Sequence, residues 1–204
     1  MNLGNLRSHM IALLNRSDLT NTLADTFIEQ SIQRIQRNLR IPSMEAIYNL
    51  SLTTQTAKII LPTDFLELIE ISHSSKAMTR IPHREMLDFK IATVAGLPDH
   101  FTRVGADILL YPEPASGVVS LNYYKTFDTM SADSDENILA KIASDLIIYG
   151  ALVYAGDYFL DERSQLYEGK YQQFFMEIQE QATDAELVGN LQVMRPAQSL
   201  NLEY

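Results

Sequence analysis

Four histidines, 26 carboxylates and no cysteine are the material for chemistry in this chain of 204 residues. His9, His73, His83 and His100 stand singly, none in an H-E-x-x-H or related spacing, so each reads as a surface or structural histidine rather than a zinc ligand. Without cysteine there is neither a thiol nucleophile nor a thiolate metal set. No G-x-S-x-G elbow, Walker A loop or G-x-G-x-x-G fingerprint occurs. What remains is a carboxylate pair, one member donating a proton while the other attacks or activates water. Asp64, Glu67, Glu70 and Asp107 could supply it, as in a peptidoglycan hydrolase. With so many acids, however, some pair falls close by chance. The inventory assigns no catalytic residue, no cofactor and no metal, and favours an interaction protein.

Charge narrows the classes further. The net charge is -10, and residues 128 to 186 hold thirteen acids against Lys141, Arg163 and Lys170, so this one segment carries the whole excess. Tight nucleic-acid binding needs Lys and Arg gathered on a face, which this balance disfavours. No apolar run approaches the roughly 20 residues that span a bilayer, and no basic n-region precedes an apolar stretch, which predicts a soluble, unexported chain with no membrane partner.

These residues must be positioned by two kinds of element. Leu3, Leu6, Met10, Leu13 and Leu14 recur at helical spacing, and a second helix is predicted from about Asn21 to Arg40, stopped by Pro42. Arg34, Arg37 and Arg40 fall near its C-terminus, either as a solvated face that complements the helix dipole or as a docking face for an acidic partner. From Ile47 to Lys125 the pattern becomes β. KIILPTDFLELIEI predicts a strand, a tight turn at Leu61 to Asp64 and another strand, because a helix would lose a donor and clash at Pro62. A short helix fits His83 to Lys90, and ADILLY, PEPASG and VVSLNYYK predict strand, turn and strand. Val119, Leu121 and Tyr123 fall on one face of the last. Helices return from about Glu136 to Phe159 and Asp161 to Glu186, with Gly150 and Gly156 predicting close backbone packing. The fold class is α+β: a mainly helical body of about four helices, an inserted small β module and an extended C-terminal tail. The corresponding divisions are 1–45, 46–128, 129–186 and 187–204. The tail holds Leu191, Val193, Met194, Arg195, Leu200, Leu202 and Tyr204, apolar residues that suit a partner-binding arm better than a frayed terminus.

The order of these motifs resembles the head-to-tail adaptor (connector) proteins of tailed bacteriophages, nearest to those of short-tailed phages, over roughly residues 3 to 190. The pieces that carry the resemblance are Leu61-Pro62-x-Asp64-Phe65, the Leu110-Tyr111-Pro112-x-Pro114 turn leading to Tyr123-Tyr124, and Tyr149-Gly150-Ala151-Leu152. The resemblance implies a structural virion protein at the head–tail junction, assembled in the host cytoplasm. It also implies a homo-oligomeric ring, commonly of twelve copies, beneath the portal protein. Such a ring extends the channel for passing genomic DNA and docks a tail or nozzle protein. On that reading Arg34, Arg37 and Arg40 are expected at the subunit interface, Asp157, Asp161 and Glu162 facing the channel, and the tail on the portal. The competing class is the virion-associated peptidoglycan hydrolase.

Overall fold

The computed structural model describes residues 1–53, 58–89 and 94–187. Helix α1 (Leu3–Leu14) starts where Asn2 accepts the Asn5 N–H on its side chain and ends at Asn15 in the left-handed region, φ 54°, which asparagine tolerates. It buries Leu3, Leu6, Met10 and Leu14. Helix α2 (Asn21–Asn38), capped by Thr20, buries Ala24, Phe27, Ile28, Ser31 and Ile35. Leu39 is extended, and Pro42–Met44 forms a single 3-10 turn into the β region.

Eight strands follow among the described residues: β1 (Glu45–Leu52), β2 (Lys58–Ile60), β3 (Phe65–His73), β4 (Lys76–Ala77), β5 (Thr79–Arg80), β6 (His100–Val104), β7 (Asp107–Tyr111) and β8 (Gly117–Lys125). Helix α3 (His83–Phe89) sits between β5 and β6. The strands form two four-stranded sheets, ordered β1-β8-β3-β4 and β2-β7-β6-β5, antiparallel except for the short β5–β6 pair. Both proline turns predicted from sequence are therefore corners between sheets. Across Pro62 the chain passes from β2 in one sheet to β3 in the other, and across Pro112 and Pro114 from β7 to β8. Proline has no N–H to offer a ladder, so a strand can end there without stranding a donor. Between the sheets Ile59, Ile71, Phe101, Ile108, Leu110, Val119, Leu121 and Tyr123 make one apolar core.

The chain then re-enters the helical body. The helix expected from Glu136 to Phe159 is two, α4 (Ile138–Ile142) and α5 (Ser144–Phe159), broken at Ala143 with φ -145° and ψ 51°. The physical reason is a second helix start: Ser144-Asp145 opens α5, and the Asp145 carboxylate accepts the Leu146 N–H at 2.9 Å while lying in the first turn. Six helices are thus present among the described residues, the four expected long segments plus the short α3 and α4. Leu160, φ 52°, turns the chain into α6 (Ser164–Leu187).

The body has its own core, drawn from α1, α2, α4, α5 and the first part of α6. Gly150 and Gly156 lie at close approaches, as predicted. A Cβ on Gly150 would collide with Ser31 Oγ and come within 3.2 Å of the Tyr171 ring, and one on Gly156 would come within 3.2 Å of Ser164. The contacts of Phe27 with Tyr158 and of Ser31 with Ile147 make α5 antiparallel to α2, and those of Gly156 with Ser164 and Tyr149 with Phe174 make it antiparallel to α6. Helices α2 and α6 therefore run the same way. The sandwich joins the body at the C-terminal end of α2, where Arg40 pairs with Glu67 at 2.6 Å and Gln36 accepts the Phe127 N–H at 2.9 Å.

Candidate assembly surfaces

The three arginines of α2 separate in the structure. Arg34 makes a two-pronged pair with Glu168 of α6, at 2.6 and 2.9 Å, and lies 4.1 Å over the Tyr171 ring. The guanidinium hydrogen bonds hold the Glu168 carboxyl below its ordinary value. Arg40 pairs with Glu67 and also donates to the Gln36 and Leu39 carbonyls, closing the end of α2. Arg37 is exposed and makes no side-chain hydrogen bond or ion pair among the described residues. A neighbour would meet Arg37 freely, and Arg34 only by displacing an internal partner.

The acids at the α5–α6 corner separate in the same way. Asp157 accepts the Ser164 hydroxyl at 2.7 Å. Asp161 is only 12% exposed and is held by Arg163, whose hydrogen bonds bring its pKa down to about 2; its backbone N–H also donates to the Gly156 carbonyl. Arg163 reaches on to the Leu14 carbonyl, so this pair ties the corner to α1. Glu162 is exposed. Tyr158 and Leu160 stand 62% and 90% exposed beside these acids, an apolar projection that the charge pattern concealed. The tail residues Leu191, Val193, Met194, Arg195, Leu200, Leu202 and Tyr204 lie outside the described residues.

Three of the four carboxylates considered for hydrolysis are engaged separately. Asp64 accepts the Tyr123 hydroxyl at 2.9 Å, Glu67 holds Arg40, and Asp107 pairs with Lys58 at 2.9 Å, while Glu70 is exposed. None of them lines the groove of about 620 Å³ between α2 and residues 126–131. Among the described residues no three His, Asp or Glu side chains gather to hold a metal. His73 is buried against the Ser116 carbonyl, His100 contacts Asp99 and the Phe89 ring, and His9 and His83 are exposed.

Two of the motif pieces quoted above meet in space. Asp64 receives Tyr123 on its side chain and the Thr126 N–H on its carbonyl, while Phe65 stacks on the Tyr123 ring at 5.6 Å. Burial, reinforced by Asp64, pushes the Tyr123 hydroxyl up to about 12. The arrangement pins the corner after β2 to the end of β8. It positions strands.

Sequence reasoning passed over one surface. Arg80, Ile81, Pro82, His83, Thr102 and Arg103 line a cleft of about 370 Å³ where β5 meets β6. The parallel pairing of β5 with β6 brings together residues some twenty positions apart, and no local spacing announces it.

The family model described as SU10 adaptor protein matches residues 1–196. No curated protein matches the chain.

Proposed function

Because the chain belongs to the SU10 adaptor protein family, structural proteins of the bacteriophage head–tail junction, we propose that it forms a ring, of about twelve copies, between the portal protein and a tail or nozzle protein. The observation that carries this reading is the family match over nearly the whole chain. It is supported by a body and a sandwich with separate cores, joined by a few directed contacts such as Arg40 with Glu67. We treat 1–45 with 129–186 as the ring-forming body and 46–128 as the inserted module that shapes each subunit.

Ring closure needs two different faces of each copy in contact. The basic end of α2 serves as one of them, through Arg37 first, with Arg34 and Arg40 positioning that edge. The acids around Asp157, Asp161 and Glu162 face the channel, where negative charge lets DNA pass without tight binding. Because Asp161 is paired with Arg163, the exposed Asp157 and Glu162 supply the free charge there. The segment 187–204, with Leu191, Val193, Met194, Arg195, Leu200, Leu202 and Tyr204, attaches to the portal by strand addition.

Electron microscopy of the full chain mixed with the portal protein of the same phage tests the proposal. A new ring of density on the outer end of the portal is expected, lost on deletion of residues 188–204. A portal left unchanged by a well-folded full-length chain overturns it.

A further inference from the structure

One cationic patch of the sandwich and one acidic face of α6 are opposite in sign. Arg7, Arg16, Arg34, Arg40 and Arg163 each hold a carboxylate of their own chain. The Arg80 side chain, at the free edge of the second sheet, makes no hydrogen bond or ion pair among the described residues. It lines the 370 Å³ cleft with His83 and Arg103. Arg103 uses its Nε on the Gly105 carbonyl and packs 4.9 Å over the Phe65 ring, which fixes the guanidinium at the cleft. Glu85 and Asp88 on α3 do not line it. The cleft is a preformed cationic notch.

The far end of α6 is its counterpart. Tyr171, Phe174, Phe175, Ile178 and Ala182 keep one face on the body. Glu177, Glu180 and Asp184 share the opposite, exposed face at helical spacing, and Glu180 and Asp184 make no ion pair among the described residues. Since α6 runs alongside α2 with Tyr171 level with Ser31, it passes the end of α2 near Ile178. Its remaining residues, 179–187, extend roughly 13 Å further, toward the level of the sandwich. Within the chain α6 packs chiefly on α5, and it packs extensively on no strand.

We propose that the acidic outer face of α6 in one copy, centred on Glu180 and Asp184, docks into the Arg80–His83–Arg103 cleft of the next copy. The occupant is a second copy because the chain itself presents the complementary charge, on a helix whose last turns extend past the end of α2. The notch and the helix are different surfaces, so the contact is head-to-tail, the kind that propagates around a ring. This inference rests on the ring reading above, and it adds a sandwich-to-helix contact to that reading.

The test measures copies of the full chain incorporated into phage particles, with circular dichroism confirming that each variant folds. The double variants Arg80→Glu with Arg103→Glu, and Glu180→Lys with Asp184→Lys, are each expected to lower incorporation at least tenfold. The quadruple variant, which restores opposite charges with the signs exchanged, is expected to recover most of the loss. Incorporation of either double variant at the wild-type level overturns the contact while leaving the adaptor reading intact. Loss that the quadruple variant fails to recover also overturns the pairing, and salt-sensitive retention of duplex DNA by the wild-type chain, lost with Arg80→Glu and Arg103→Glu, would reassign the notch to phosphate. Absence of the wild-type chain from particles overturns the adaptor reading and this contact together.

Discussion

At the scale of single residues, the charges that sequence inspection marks for partners are partly spent at home. Arg34 is a case in which geometry sets the energy. Its guanidinium is both paired with Glu168 and stacked on Tyr171, so Arg34→Ala removes packing as well as charge. The pair is partly exposed, which discounts its worth, and a loss of about 1–2 kcal/mol is expected in urea unfolding. The carboxyl of Glu168 lies below its ordinary value when folded, so its contribution is present above the unfolded glutamate pKa and disappears as pH falls through the folded one. Acid unfolding of Arg34→Ala should accordingly lose part of that pH dependence. At the alkaline end the sign reverses. Tyr123 rises from 10 to about 12, so the stability it contributes is complete below pH 10 and is lost as pH climbs toward 12. Stability of Tyr123→Phe measured across that range should decline less steeply than that of the wild type.

At the scale of elements, the close approach of three helices at Gly150 is the most exacting contact. Ser31 is fully buried and donates to the Ile147 carbonyl at 2.9 Å, so it cannot swing away from a new methyl without abandoning that bond. Gly150→Ala gains up to about 1 kcal/mol of helix propensity and is expected to lose more to crowding, for a net cost of about 1–3 kcal/mol in thermal or chemical unfolding. Combined with Ser31→Ala the cost should shrink, because the hydroxyl that collides is gone. A double-mutant cycle showing simple additivity would contradict this account. The corner at Asp64 makes a parallel case in the sandwich. Asp64→Ala strands the Tyr123 hydroxyl and should cost about 1–2 kcal/mol, read as a shifted urea midpoint with unchanged slope.

At the scale of the whole molecule, two cores meet at a narrow junction made by Arg40, Glu67, Gln36 and Phe127, with Leu66 and Tyr124 against the helical core. Among the described residues both cores draw their buried side chains from residues 3 to 171, so deleting residues 188–204 should leave the melting temperature within a few degrees of the wild type. Attachment to the portal is the property that deletion is expected to remove. A deletion that instead unfolds the chain, seen by circular dichroism, would give the tail a role in the fold itself.

Much of the architecture was legible beforehand because it follows from periodicity. The spacing of apolar residues fixes which face of α1, α2 and α6 is buried, alternation fixes the inward face of β8, and Pro62 and Pro112 fix where strands must stop. The glycines of α5 likewise announced close packing. Local signals do not state partners, since pairing energy depends on residues distant in sequence. Only the tertiary structure shows that both proline turns cross between sheets, that Asp64 belongs to Tyr123, and that Arg34 is satisfied by Glu168 whereas Arg37 has no such partner among the described residues. It alone brings Arg80 beside Arg103. By itself the sequence determined a two-part α+β chain with its acid concentrated toward the C-terminal end. Tertiary structure decided which of those charges remain unspent, because a charge pairs with whatever the fold brings within a few ångströms.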